Sequence, residues 1–422
     1  MSQPTASNSD ALEAHFDLAE LFFSRTDNRG VIQAGNSVFQ RVSCYAWDDL
    51  LNAPHKIIRH PDMPKAVFHL LWETIKSGKP IGAYVKNRSK TGQFYWVFAF
   101  VTPIEGGYLS VRMKPTTALF GAVEKEYASL RQRERTDGLE AEESASLLLA
   151  RLGELGWNSY GAFLAEASVQ ELSARQAALS GEDSSFGIAT DRIVKSAKQN
   201  QIDSARILRL CDKLKNSAIN LSIQSSKHAT QHKLFQVISQ DFARVCALLK
   251  EKMEEFIVMA EEVFDQINTS LFLQSTVLIQ TEMAHLFQQE ADQESQINHA
   301  QEITLLNQQS AEYTEQAAQS LDKMTGEIEA FEQLCKKMLE HVDRLGMTGT
   351  IGLIETARQS DKGATTYALL EETAAIQEEM ETVLKAISTR NSVLRDSIHT
   401  VRTYRVDITA SAHHPAVLKQ SA

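Results

Sequence analysis

Proline and glycine are very unevenly placed in this chain. Seven of its eight prolines lie at or before Pro115, the eighth is Pro415, and the segment from Ile188 to Thr325 contains neither proline nor glycine. Those two residues penalise a helix interior by about 3 and about 1 kcal/mol respectively. A stretch that long without either predicts long helices, with a domain boundary just after Pro115. The expectation is an α+β domain in front and a predominantly all-α region behind it, the latter a long helical bundle or coiled coil. The expected divisions are a polar tail over 1–20, the front domain over 21–116, an exit helix and small helical linker region over 117–187, the bundle over 188–410 and a tail over 411–422.

Within the front domain the pattern changes repeatedly. Ala11 to Phe16 suggests a short cap helix. Leu21–Thr26 reads as a strand, Asp27-Asn28-Arg29-Gly30 as a turn and Val31–Asn36 as the hairpin partner. Short helical pieces follow from Ser37 to Leu51. The segment Arg59-His60-Pro61-Asp62-Met63-Pro64 is stiff and poorly helical, because its two prolines restrict the residues before them. It opens an amphipathic run that starts after Pro64, where a helix tolerates proline best. In a purely structural reading Asp62 caps that helix. Ile81–Asn87, Phe94–Val101 and Tyr108–Met113 are strands by alternation and by β-branched and aromatic content. Two strands, a helical middle and three antiparallel strands make up the order of a PAS domain.

At these residues the sequence resembles the PAS domain of the aerotaxis-receptor (Aer) family. The resemblance rests on Thr26-Asp27, Asn36, Arg41-Val42-Ser43, the Arg59–Pro64 segment, Val85-Lys86-Asn87-Arg88, Lys90-Thr91-Gly92, Tyr95-Trp96-Val97 and Tyr108–Arg112, in matching order and separation. It covers about residues 20–116. It implies a PAS sensor domain over 21–116 whose pocket holds a flavin, usually FAD, and reports redox or oxygen status. Carried over position by position, it makes Arg59, His60, Asp62 and Asn87 cofactor contacts, with Trp72 and Trp96 as walls. Arginine and histidine suit phosphate or ring carbonyl oxygens, and an asparagine amide suits the donor/acceptor edge of an isoalloxazine. The chain departs from the family at Ile81, where members commonly carry tryptophan. Haem is the competing cofactor, with His55, His60 or His69 as axial ligand, and a PAS domain with no cofactor is the third reading.

Behind the boundary, Thr116 to Arg135 reads as the exit helix, followed by shorter helical pieces and a polar loop at Ser180–Ser185. Ile207, Cys211, Leu214, Ala218 and Leu221 step by fours and threes. So do Phe242, Cys246, Leu249, Met253, Phe256, Ala260, Val263 and Ile267, the seam of a coiled coil or bundle. The polar interval between them includes His228 and His232, whose spacing would suit a metal only with further ligands. Around 214–238 the chain is similar to a degenerate chemoreceptor (methyl-accepting chemotaxis protein) signalling tip, without its turn glycines and with Gln224 in place of glutamate. Ile351–Arg358 is a fainter echo, and two such tips in one chain imply a self-contained four-helix bundle. Gln288 to Ser310, rich in Gln and Glu, reads as a solvated helix face or as methylatable sites. Gly346 to Gly352 reads as a turn between long helices.

Net charge is -11, which argues against nucleic acid or an anionic membrane as partner. No apolar run approaches the roughly 20 residues of a membrane span, and Met1–Asp10 lacks the order of a signal peptide, so the expected compartment is the cytoplasm. Cys44, Cys211, Cys246 and Cys335 are far apart and read as reduced core thiols. Nucleotide-binding, hydrolase and zinc-protease motifs are absent from the sequence, so the chain reads as a non-enzyme. Two functions remain. One is a cytosolic redox, oxygen or energy sensor relaying cofactor state through the bundle to a signalling partner such as a chemotaxis kinase or adaptor, with self-association. The other is a scaffold with an empty PAS domain.

Overall fold

The computed structural model describes residues 12–181, 185–227, 233–290, 296–357 and 364–411. The chain divides into two compact units: residues up to Asp191 with Asn268–Ser320 and those from Thr400, and Arg192–Ile267 with Leu321–His399.

The first unit is built on β1 (Phe22–Asp27), β2 (Ile32–Gly35), β3 (Ile81–Arg88), β4 (Phe94–Ile104) and β5 (Gly107–Met113). They form one five-stranded sheet in the order β2-β1-β5-β4-β3, with every neighbouring pair antiparallel. The β1–β2 turn is set by Asp27, whose carboxylate accepts from the Arg29 and Val31 amides at 2.8 and 3.0 Å. Gly30, at φ +77°, supplies the left-handed residue the turn requires. Between β2 and β3 lie α1 (Ser37–Ser43), α2 (Trp47–Leu50), a 3₁₀ turn at His55–Ile58 and α3 (Lys65–Lys76).

Strand alternation gives the sheet two unlike faces. Ser24, Thr26, Val85, Asn87, Ala99, Val101, Tyr108, Ser110 and Arg112 point to the side of α3 and enclose a cavity. Residues of opposite parity make an aromatic back face. Tyr84 packs on Phe98, Phe120 and Phe163, Phe100 stacks on Phe272 at 5.8 Å, and Phe23 meets Phe287 at 5.1 Å. That back face is covered by α4 (Ala118–Thr136), by α6 (Tyr160–Ser180), which follows α5 (Ala141–Glu154) in sequence, and by the Asn268–Ser320 portions of α8 (Lys233–Gln289) and α9 (His299–Ala357). A Phe buried there contributes about 1.5–3 kcal/mol.

Polar contacts fix the same interface. Arg25 makes a bidentate pair with Glu302 at 2.7 and 2.6 Å. Arg175 binds both Glu282 oxygens and the carbonyls of Leu18 and Ala19. Gln280 donates to Thr102 Oγ1 at 2.9 Å.

Three local expectations change. From Leu12 the chain is extended, not a cap helix: Ala14 N donates to Phe94 O at 2.7 Å and Phe94 N to Leu12 O at 3.2 Å. The start of β4 projects beyond β5, whose pairing begins at Phe98, so its free backbone edge draws in this segment. Asp62 does not cap α3, whose N-cap is Pro64 with no side-chain bond; the buried Glu134 carboxylate on α4 accepts from the Lys65 and Ala66 amides at 2.6 and 3.4 Å. Gln288–Ser310 is not one solvated helix face. Alpha8 ends at Gln289 and α9 starts at His299. Glu290 accepts from Ser37 N at 3.0 Å, and Glu302 is 2% exposed in its pair with Arg25.

The second unit is a four-helix bundle of segments of α7 (Ser185–Lys227), α8, α9 and α10 (Ala364–Ser411). The seam positions Ile207, Leu214, Leu221, Phe242, Leu249, Met253, Phe256, Val263 and Ile267 are buried. Phe256 and Phe331 meet at 4.9 Å. A polar layer crosses the core, with Asn200 Nδ2 donating to Asn391 Oδ1 at 2.8 Å and Arg390 held by Asn200 and Asp203. Gly346 to Gly352 is not a turn, because α9 runs on to Ala357. A Cβ at Gly346 would lie 2.2 Å from Gln377 Nε2, which donates to Val342 O at 2.8 Å. That glycine lets α10 approach α9. His228 and His232 lie outside the described residues.

Candidate functional site

The cavity measures about 230 Å³. One wall is α3, whose Phe68, Leu71, Trp72 and Ile75 follow i, i+3, i+4, i+7 and so share one helix face. The opposite wall is the front face of the sheet. Trp72 and Tyr108 meet edge to face at 5.6 Å. The Arg59 guanidinium lies 3.4 Å from the Phe68 ring centre. Arg59 also bridges Asn87 through the backbone, which joins the Arg59–Pro64 segment to β3.

One end of the cavity is polar. Arg112 is 2% exposed. Its Nη2 lies 2.7 Å from His55 Nε2 and also contacts Ser24 Oγ, while its Nε donates to Ser110 Oγ at 3.0 Å. Burial, with Arg112 and Arg59 nearby, holds His55 well below the usual imidazole value of 6.5, so the ring is neutral at physiological pH. A second, open groove of about 680 Å³ shares Arg29, Arg59, Phe68 and Trp72 with the cavity and adds Lys65, His69, Glu73 and Lys76. Four of its ten lining residues, Arg29, Arg59, Lys65 and Lys76, are basic and one, Glu73, is acidic.

Of the six residues singled out in the sequence, Arg59, Trp72 and Asn87 line the cavity. His60, Asp62 and Trp96 do not. The His60 ring is buried behind the loop, where Nδ1 accepts from Asp62 N at 3.1 Å and the ring meets Phe94 edge-on. Asp62 sits at the surface, paired with Lys86 at 3.1 Å and Arg135 at 3.3 Å. Both hold the Arg59–Pro64 loop against β3 and α4. Trp96 has the opposite parity to Ala99 on β4 and packs on Phe120 at 5.4 Å. Ser24, Ser110 and Arg112 were not singled out as site residues, and His55 was considered only as a haem ligand. The signal for Ser110 and Arg112 was their alternation with Tyr108 on one strand.

The neutral His55 has a measurable consequence. Its folded-state pKa is depressed while the unfolded chain protonates near 6.5, so its contribution to stability is complete above that pH and is lost as pH falls below it. The slope approaches about 1.4 kcal/mol per pH unit for one proton. Chemical denaturation between pH 7.5 and 5 is expected to show this, and His55→Gln to flatten the difference; parallel curves for the two proteins would contradict it.

The five-stranded sheet and its helical middle are those of a PAS domain, and the family and sequence comparisons agree. The PAS fold family profile matches residues 35–111. The aerotaxis receptor of Escherichia coli (strain K12) is 44% identical over 112 residues, which are 25% of this chain and 22% of that receptor. The front of this chain is therefore an Aer-like PAS domain, and the match spans about a fifth of the receptor's length. Solved structures similar to the chain include a light-oxygen-voltage domain studied with a flavin analogue, 20% identical with TM-score 0.24, covering 26% of this chain and 87% of that one. The light-state Aureochrome1 LOV domain is 20% identical with TM-score 0.22, covering 27% and 89%. A PAS domain from Colwellia psychrerythraea is 20% identical with TM-score 0.20, covering 23% and 86%. No helix among the described residues is long and apolar enough to cross a membrane.

The cavity and groove together fit a flavin dinucleotide better than haem. The cavity is smaller than the roughly 300–1,000 Å³ of ordinary ligand pockets. Its aromatic side, where Trp72 and Tyr108 meet edge to face, and its polar end suit a planar heteroaromatic ring, and the basic side chains of the neighbouring groove suit a diphosphate chain. For haem, His60 is outside the cavity, His69 lines only the outer groove, and His55 Nε2 faces the Arg112 guanidinium at 2.7 Å.

Proposed function

We propose that this protein is a cytoplasmic, non-enzymatic redox or oxygen sensor of the Aer-like kind, with the ring of FAD in the cavity and its diphosphate in the groove. The observation that carries this reading is that an aromatic-lined cavity and an open groove carrying four basic side chains share Arg29, Arg59, Phe68 and Trp72 in their linings. Bound flavin supplies reversible electron uptake. The residues of the chain do the rest. Trp72 and Phe68 would wall the ring, the Asn87 amide would offer a donor and an acceptor to it, and Arg59, which lines both cavity and groove, would supply positive charge to the phosphates. His60 and Asp62 act at one remove by holding the loop.

The state of the cavity reaches the helices by two routes. Alpha3 carries the cavity wall, and its N-terminus is held by Glu134 of α4. The sheet carries the opposite wall, and its back face is tied to α8 and α9 by Arg25–Glu302 and by Thr102–Gln280. Both helices continue in sequence into the bundle. There the relay reaches a signalling protein of the chemotaxis kinase or adaptor class, and the chain self-associates. Ile219, Ile223, Met347, Ile351 and Ile354 are about half exposed or more toward the ends of α7 and α9, which supports a protein partner.

Absorbance and mass spectrometry of purified full-length protein test the reading. Oxidised flavin that bleaches on reduction is expected, and its loss on Asn87→Leu with helix content unchanged. A folded protein that neither carries nor takes up FAD refutes the sensor reading and leaves the scaffold.

A further inference from the structure

A small cavity of about 90 Å³ in the second unit is lined by sulfur. Cys211 of α7 and Cys246 and Met253 of α8 border it together with Leu214 and Leu249. Cys211 Sγ lies 3.6 Å from Met253 Sδ. Two sulfurs bound to one metal at about 2.3 Å and the tetrahedral angle are about 3.8 Å apart, so this pair already has the spacing of a shared ion. Cys246 Sγ lies 4.0 Å from the Leu214 carbonyl oxygen, on the turn of α7 that follows Cys211. Both cysteines are free and part-exposed, which leaves them open to a small ion from solution. Burial pushes both thiols up to about 12, so at neutral pH they are protonated and weak nucleophiles. Asp212 and Glu254 stand at the rim, but among the described residues no group of three or more His, Cys, Asp or Glu is placed to hold a metal ion. The third donor of this cavity is the Met253 thioether.

We propose that Cys211, Cys246 and Met253 form a binding site for a soft monovalent metal ion of the copper(I) class, held between α7 and α8. Thiolate and thioether sulfurs select copper(I), whereas the hard divalent ions want oxygen ligands. Zinc in a structural site takes four cysteine or histidine ligands, and this cavity offers it two. On binding, each thiol releases its proton to solvent and its sulfur bonds to the ion, while the thioether donates a lone pair and has no proton to lose. Two protons leave for each ion bound, and no electron is transferred. The bound ion joins the two helices within their unit. This site is separate from the front cavity and does not rest on the flavin reading.

The test is an anaerobic titration of full-length protein with copper(I) against a chromophoric copper(I) chelator, in a Cys44→Ser background that removes the exposed thiol. One ion per chain is expected, with X-ray absorption showing a first shell of sulfur alone. Cys211→Ser and Cys246→Ser are each expected to weaken binding by more than about a hundredfold, since loss of even an outer-shell partner costs a metal site about 10–100-fold. Met253→Leu keeps the packing volume and is expected to weaken binding less and to remove one sulfur from the shell. Cys335→Ala, at a buried cysteine outside the cavity, is expected to bind as the background protein does. If the cysteine variants do not fold, the Met253→Leu shell decides: an unchanged sulfur count overturns the assignment. It is also overturned by no stoichiometric binding, by undiminished affinity in Cys211→Ser, or by zinc(II) binding as tightly as copper(I). None of these outcomes touches FAD binding, which is measured separately on the same protein.

Discussion

Ala99→Phe is expected to abolish FAD binding, weakening it by at least about a hundredfold, close to 2.7 kcal/mol, while leaving the fold in place. Ala99 is on β4, 3% exposed, with its methyl on the cavity wall. A phenyl ring there projects into about 230 Å³ of free space instead of into packed neighbours. The usual overpacking cost of about 1–3 kcal/mol should therefore sit at its lower end, and phenylalanine suits a strand. The readouts are titration of ligand-free protein with FAD, followed by flavin fluorescence, and circular dichroism for fold. Wild-type affinity in this variant would mean that the ligand binds elsewhere, and the sensor reading would have lost its site. Gly82→Ala, on the opposite face of the neighbouring strand, makes a useful contrast. Its Cβ would meet Phe272 at 3.1 Å and the Ala99 carbonyl at 3.3 Å, so it disturbs the sheet–helix contact and not the cavity.

The largest expected loss of stability is for Gly107→Ala. A Cβ on Gly107 would lie 1.9 Å from the Thr26 carbonyl oxygen and 3.1 Å from the Asp27 Cα. Those atoms are the backbone of β1 at the pairing Asp27↔Gly107, so no side-chain rotation relieves the clash and the end of the ladder must open. The cost is expected to exceed about 4 kcal/mol, which is rare for a single substitution, and to lower the melting temperature by about 10 °C or more in a unit of this size. The adjacent Gly106→Ala is the control. Gly106 has φ +78° with open space around it, so it loses only the left-handed preference, about 1–2 kcal/mol. Equal melting temperatures for the two variants would show that the β1–β5 approach is looser than described.

Much of the fold was legible because local physics decides it. Pro115 and the helix breakers before it marked where the α+β part ends, while alternation in Ile81–Asn87 and the β-branched and aromatic content of Phe94–Val101 marked strands. The fours and threes from Ile207 to Ile267 marked a seam that the bundle buries. The candidate site was half legible. Arg59 and Asn87 stand in two separate matched segments and Trp72 on the amphipathic helix between them, and the cavity gathers all three. His60 and Asp62 belong to the Arg59–Pro64 segment but hold the loop, because a non-helical segment with prolines three residues apart sends successive side chains in different directions.

By itself the sequence determined the PAS-like order of elements and the long helices, since propensity, alternation and turn chemistry act over a few residues, while the polar residues of the Arg59–Pro64 loop were picked out by the family resemblance. Tertiary structure alone decided which face each strand residue takes. It put Trp96 on the back of the sheet, set Glu134 rather than Asp62 at the start of α3, and carried α9 straight through Gly346. It also left Arg112 buried with an unpaired nitrogen. Each of these depends on what a partner distant in sequence presents at the point of contact, and no local pattern encodes that.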